Sequence, residues 1–145
     1  MYSHILIPTD GSSLSTAALE KGLSFARDVR AKATILTITE PLHLFPGRGD
    51  QLEHMCAEFA RNSKEHAVRC LAEAEAKAKA LHVPCEFMQM ESTHPYQAII
   101  DTAAERGCDL IAMASHGRRG VAAVLLGSET LKVLTHSAIP VLVYR

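Results

Sequence analysis

Short apolar runs and longer amphipathic stretches take turns along this chain from one end to the other. Alternation of that kind predicts strand and helix in succession. The apolar runs predict five strands, at roughly His4 to Thr9, Ala33 to Thr39, Cys85 to Met90, Asp109 to Ala114 and Pro140 to Tyr144, with four helical segments between them. Ser12 or Ser13 predicts the cap of a first helix that runs to about Val29, with Ala17, Ala18, Leu19, Leu23, Phe25 and Ala26 on its buried side. A second helix covers about Gln51 to Leu81. Its interior from Leu71 onward is built of strong helix formers, with Glu73 to Lys77 and Glu75 to Lys79 pairs four apart, and reads as a solvated helix. Gly127-Ser128 opens a later helix, with Ser128 as its N-cap.

Strands that alternate with helices imply a parallel sheet with right-handed crossovers and helices on both faces. Near-continuous apolar runs such as Leu110-Ile-Ala-Met113 fit strands covered on both sides. A chain that winds outward from strand one and then reverses gives the doubly wound order 3-2-1-4-5, with its switch point between strands one and four. Ligands of such sheets bind outside the carboxyl ends of the strands at that crevice, where Thr9-Asp10 and Ala114 to Gly117 emerge.

Composition narrows the class. With 145 residues, 48% of them hydrophobic, the chain can bury one substantial core, and residues 1–145 are expected to form a single domain. The formal net charge of -1 and the scattered cations give no footprint for nucleic acid. The start lacks the basic region of a signal peptide, and no stretch is long enough to span a bilayer, so a cytoplasmic protein without membrane contact is expected. Cys56, Cys70, Cys85 and Cys108 lie far apart without C-x-x-C spacing, which predicts reduced, buried thiols.

The stretch richest in chemistry is the glycine-punctuated loop from Met113 to Ser128, which follows an apolar strand and enters a helix. Free N–H groups and about half a positive charge at a helix start attract an anion without a lysine, so the loop predicts a phosphorylated ligand. Its spacing is neither G-x-x-x-x-G-K-[ST] nor G-x-G-x-x-G, which sets aside the P-loop and the dinucleotide fingerprint. Arg118 and Arg119 suit phosphate oxygens, or equally the solvation of an exposed loop, and Gly120 adds mobility. Asp10 has two readings, an acceptor for a ribose hydroxyl or a cap of the helix that follows. The Glu40 to Asp50 segment, with two prolines and two glycines, reads as a lid or as an ordinary connection. His54 near Cys56 and His66 four residues before Cys70 supply only pairs where zinc needs three or four ligands, so no metal site is expected. No catalytic residues are assigned: the glycine loops hold no cysteine, and no carboxylate pair has acid–base spacing.

Ile5-Leu-Ile-Pro-Thr-Asp-Gly-Ser12, the Met113 to Ser128 loop and Ile139-Pro-Val-Leu-Val-Tyr144 together resemble the universal stress protein family, over nearly the whole chain. The resemblance implies the α/β fold above, one open sheet of five parallel strands in order 3-2-1-4-5. It also implies ATP binding, since the family's nucleotide-binding branch carries G-x-x-G-x(9)-G-[ST] and Gly117, Gly127 and Ser128 fall on that pattern. Ala114 occupies the first glycine position. Alanine there costs about 1 to 2 kcal/mol if the backbone needs positive φ, and almost nothing if φ is negative and the methyl points into the sheet.

By the same resemblance Asp10 lies at the ribose, with Pro8, Thr9 and Ile38 at the base. Ser115, His116, Gly117 and Arg118 wrap the ribose and phosphates, and Gly127, Ser128, Glu129 and Thr130 meet the polyphosphate through N–H and hydroxyl groups. Glu129, an anion beside an anion site, can instead favour the helix macrodipole or sit near a metal held by phosphates. The implied cofactor is ATP with Mg2+ or Mn2+ held mainly by the phosphates. Hydrolysis is expected to be slow or absent, since no water-activating base is evident. The last strand, Ile139 to Arg145, is an apolar sheet edge through which a homodimer is expected, besides unidentified protein partners. Two alternatives stay open. One is a nucleotide-free dimeric interaction protein. The other is an ATP-hydrolysing enzyme of the adenine-nucleotide hydrolase-like superfamily, whose serine-glycine-glycine loop after strand one is not matched by Asp10-Gly11-Ser12-Ser13.

Overall fold

The computed structural model of the chain describes residues 1–42, 49–117 and 126–145. The elements run β1 (His4–Pro8), α1 (Ser13–Val29), β2 (Lys32–Thr39), α2 (Gly49–Ala80), β3 (Cys85–Glu91), α3 (Pro95–Glu105), β4 (Leu110–Ala114), α4 (Ser128–His136) and β5 (Val141–Tyr144). The five strands form one sheet in the order β3-β2-β1-β4-β5, and every pairing is parallel. All five strands expected from the apolar runs are present, each within two residues of its expected bounds.

Alternation along β1 divides the core into two. Ile5 and Ile7 face one way, with Ala33 and Ile35 of β2 and Ala112 of β4, and pack against Leu19, Leu23 and Ala26 of α1 and Ala74 and Ala78 of α2. Leu6 faces the other way, with Leu36, Ile111 and Met113, and packs against Ile99 and Ala103 of α3 and Val133 of α4. Each fully buried Leu or Ile contributes about 1.5 to 3 kcal/mol to this three-layer arrangement. Strands with both faces covered must be apolar at successive positions, which explains why β1 and β4 read as continuous hydrophobic runs.

Helix ends follow local chemistry. Ser12 caps α1, its Oγ accepting from Ser15 N at 3.2 Å. Arg30 and His82, at the ends of α1 and α2, are left-handed (φ 59° and 55°), which lets Ala31 N reach Ala26 O at 2.8 Å and Val83 N reach Ala78 O at 3.0 Å. Arg27 in the last turn of α1, and Lys77 and Lys79 in that of α2, suit the macrodipole at these carbonyl-rich ends.

Three local expectations are corrected. Lys77 pairs with Glu20 of α1 rather than with Glu73, whereas Lys79 does meet Glu75, at 3.1 Å. The alanine-rich part of α2 is not solvated all round, because Ala74 and Ala78 are buried against the sheet while Glu73, Glu75 and Lys79 face water. Ala17 and Phe25 of α1 are half-buried, the innermost stripe being Ala18, Leu19, Gly22, Leu23 and Ala26. All four cysteines are free thiols; Cys70 and Cys108 are buried and Cys56 and Cys85 half-buried. Burial pushes the Cys85 and Cys108 thiols up to about 11, so neither is an activated nucleophile at neutral pH.

A buried histidine is expected to make the stability of the fold depend on pH. His4 is 5% exposed, with Nε2 2.8 Å from Thr34 Oγ1, and burial, helped by the nearby Lys32 charge, holds its pKa below the ordinary 6.5. Between the folded and unfolded values the unfolded chain binds more protons, so this contribution to stability is complete above the unfolded value and declines as pH falls below it. Urea midpoints measured from about pH 7.5 down to about pH 5.5 should fall, and His4→Gln, which keeps a polar partner for Thr34 but does not titrate, should flatten the slope. An unchanged slope in the variant would rule His4 out as its source.

Candidate functional site

Two turns and one helix start meet over the carboxyl ends of β1 and β4. After β1, Thr9 N continues the ladder to Leu36 O at 2.8 Å, and the chain then turns through Asp10 and Gly11. Asp10 Oδ1 accepts from Ser12 N at 3.0 Å, closing an Asx turn, while Asp10 N donates to Ser15 Oγ at 3.0 Å. The buried Thr9 hydroxyl shares a hydrogen bond with the same Ser15 Oγ at 2.9 Å. Gly11 has φ 79°, a left-handed value that glycine adopts without cost. Pro8, ending β1, pairs with Leu36, and Ile38, near the end of β2, pairs with Met90 of β3 and packs against the core beneath α3 and α4.

The second turn leaves β4. Ser115 N donates to Tyr144 O at 2.8 Å, its carbonyl accepts from Gly127 N at 2.7 Å, and its hydroxyl lies 3.0 Å from His116 Nδ1. These bonds bring the end of the glycine loop back to its beginning, so α4 starts directly beside the end of β4. A Cβ on Gly117 would lie 2.9 Å from Asp10 Oδ2, which places the Asp10 carboxylate against the second turn. The convergence of Thr9-Asp10 with Ala114 to Gly117 is therefore present. His116 Nε2 is buried and has no hydrogen-bond partner among the described residues. A buried ring nitrogen without a partner is costly and suits a site that a polar ligand completes.

The N-cap of α4 is Gly127, not Ser128. Gly127 is extended (φ -68°, ψ 158°) and supplies no side-chain cap, and Ser128 is the first helical residue. A serine side chain would satisfy one of the first amides, whereas glycine leaves the N–H groups of the opening turn to be met from outside the helix. The Glu129 carboxylate has partners within the chain: its Oε2 accepts from Tyr96 N at 2.8 Å, in the first turn of α3, and its Oε1 meets Lys132 Nζ at 3.3 Å. The carboxylate thus serves the start of α3, where His94 makes no side-chain cap bond. Thr130 is 3% exposed and its hydroxyl donates to Ala114 O at 3.0 Å, so its hydroxyl fastens α4 to β4. Ala114 lies within β4 and is not among the residues with positive φ, so the backbone penalty set out above for a left-handed alanine does not arise. Arg118, with Arg119 and Gly120, lies outside the described residues, as do positions 43–48 of the Glu40 to Asp50 segment.

Sequence reasoning missed Ser15, which anchors both Thr9 and Asp10, and His66 of α2, whose Nε2 lies 2.9 Å from Asp10 O. Ser15 could have been found as a polar residue on the buried stripe of α1. Among the described residues no group of three or more His, Cys, Asp or Glu is arranged to hold a metal, and no helix is long and apolar enough to cross a membrane. Two surface grooves, about 460 Å³ along α2 at Arg61, Lys64 and Val68 and about 570 Å³ at Arg30, Lys32 and His82, contain none of the predicted site residues.

The sequence profile of the universal stress protein family matches residues 1–145. The chain belongs to this family. Among its relatives, universal stress protein YxiE of Bacillus subtilis is 28% identical, covering 100% of both chains. The solved structure of MJ0577, a universal stress protein of Methanocaldococcus jannaschii, superposes with a TM-score of 0.80 at 25% identity, covering 99% of this chain and 95% of that one. A universal stress protein solved in complex with cAMP superposes with a TM-score of 0.73 at 25% identity, covering 99% and 97%. The order β3-β2-β1-β4-β5 with helices on both faces is the universal stress protein fold.

Proposed function

We propose that this universal stress protein binds an adenine nucleotide, ATP with Mg2+ or Mn2+ held mainly by its phosphates, at the carboxyl ends of β1 and β4. The observation that carries this reading is the meeting of Asp10 with Gly117 beside the uncapped start of α4, at the switch point of the sheet. The cAMP complex of a structural relative supports the ligand class. Asp10 is the acceptor for the ribose, with Pro8, Thr9 and Ile38 beside the base. Ser115, His116, Gly117 and Arg118 enclose the ribose and phosphates. Gly127, Ser128, Glu129 and Thr130 contribute main-chain N–H groups, and the exposed Ser128 also offers its hydroxyl. The Glu129 and Thr130 side chains, occupied at Tyr96 and Ala114, act in support of the fold.

The site offers positioning and phosphate stabilisation without an evident base for water, so the protein acts as a nucleotide-responsive module, with slow or no hydrolysis, in the cytoplasmic stress response. It works as a homodimer through the last strand, Ile139 to Arg145. β5 lies at the edge of the sheet with all four of its residues half-buried, a surface suited to a second copy. A monomeric mass by light scattering at micromolar concentration would refute the dimer.

Calorimetric titration of nucleotide-stripped protein with Mg-ATP tests the reading. Saturable binding is expected. Asp10→Asn, which keeps a carbonyl for Ser12 N but removes the charge, should weaken it about tenfold. Glu129→Ala should leave affinity within about twofold while lowering stability by about 1 kcal/mol through the lost bond to α3. Absence of binding to folded protein would favour a nucleotide-free interaction protein instead.

A further inference from the structure

We propose that His66 of α2 is a positioning residue for the nucleotide site, holding the Asp10–Gly11 turn in place and linking it to α2; this rests on the nucleotide-binding reading above. Three hydrogen bonds among the described residues anchor Asp10. Its carboxylate is held by Ser12 N and its amide by Ser15 Oγ, both belonging to the start of α1, and its carbonyl is held by His66 Nε2 at 2.9 Å. The third anchor comes from a different helix, reached 56 residues later in the chain.

A carbonyl oxygen only accepts, so the hydrogen bond requires a proton on Nε2. Cys70 Sγ lies 3.4 Å from the same nitrogen, one helical turn on, and both side chains press on the turn. A Cβ at Gly11 would fall 2.6 Å from Cys70 Sγ, 3.1 Å from His66 Cε1 and 3.2 Å from His66 Nε2. The ring and the thiol therefore form the floor on which the Asp10–Gly11 turn rests. Displacement of α2 moves that floor, and with it the carboxylate that faces Gly117. The spacing of His66 and Cys70, which suggests two metal ligands in the sequence, is explained by this contact.

The test uses the full chain with Mg-ATP as the probe, and compares wild type, His66→Ala and His66→Gln. Glutamine places an N–H donor close to the position of Nε2. We expect His66→Ala to weaken Mg-ATP about three- to tenfold and to speed hydrogen exchange of the Ser12 amide, with His66→Gln restoring both to within about twofold. In wild type, the His66 Nε2–H resonance should be observed and should shift during the titration. Equal affinity in His66→Ala, or an affinity in His66→Gln as low as in alanine, would overturn the inference. If wild type does not bind, the nucleotide reading fails; Ser12 exchange and the Nε2–H resonance then decide the anchor alone, and unchanged exchange in His66→Ala overturns it. Should His66→Ala fail to fold, His66→Gln and the wild-type resonance still give the answer.

Discussion

Replacing Gly11 with alanine is expected to lower stability by about 2 to 4 kcal/mol and to weaken nucleotide binding in whatever fraction still folds. Two independent costs add at this position. The backbone is left-handed, φ 79°, where an L side chain is strained by about 1 to 2 kcal/mol. The new methyl would also fall 2.6 Å from Cys70 Sγ, well inside contact distance, with the His66 ring close on the same side. Relief comes from the Cys70 thiol swinging aside, or from movement of α2 or of the Asp10 turn, and moving the turn displaces the carboxylate from Gly117. Urea unfolding measures the total. Adding Cys70→Ala should return the overlap part and leave the φ part, so the double variant should be more stable than the sum of the two single changes predicts. A Gly11→Ala protein as stable as wild type would contradict the turn described here.

Gly127→Val is expected to cost about 1 to 3 kcal/mol and to reduce nucleotide affinity more than tenfold, for a different reason. Here the backbone is ordinary, φ -68° and ψ 158°, and a side chain meets no torsional objection. The obstacle is contact: a Cβ would lie 3.2 Å from Ser115 O and 3.3 Å from His116 Cα, both backbone atoms of the turn after β4. Valine adds two further methyls, which must push the start of α4 away and break the 2.7 Å bond from Gly127 N to Ser115 O. Gly127→Ala needs the neighbours to give by only a few tenths of an ångström, so it should fall between wild type and valine in both urea unfolding and titration. Loss of affinity without loss of stability in the valine variant would show that Gly127 is small for the ligand rather than for Ser115 and His116.

The sheet was legible because a strand buried on both faces must be continuously apolar, and β1 and β4 obey that rule at every position from Ile5 to Ile7 and from Leu110 to Met113. The meeting of the two turns followed from topology, since strands one and four are neighbours only in the reversed order. Less legible was the use of individual polar side chains. Glu129 reads as an anion near a phosphate loop, yet its partner is Tyr96 N, a contact between α3 and α4 set by packing that no local spacing reveals. Ser128 reads as a cap, but Gly127, pulled against Ser115, takes that position and Ser128 becomes the first helical residue. Lys77 has two carboxylates within reach, and the approach of α1 decides for Glu20 over the residue four positions back. In each case a long-range contact overrides a local rule.

The most direct test of the central claim is amide shift mapping of the full chain during titration with Mg-ATP. A nucleotide at this site should give saturable shifts at Asp10 to Ser12, at Ser115 to Gly117 and at Gly127 to Thr130, three segments remote in sequence and joined at one end of the sheet. Shifts centred instead on the groove at Arg30, Lys32 and His82, or no shifts in folded protein, would contradict it.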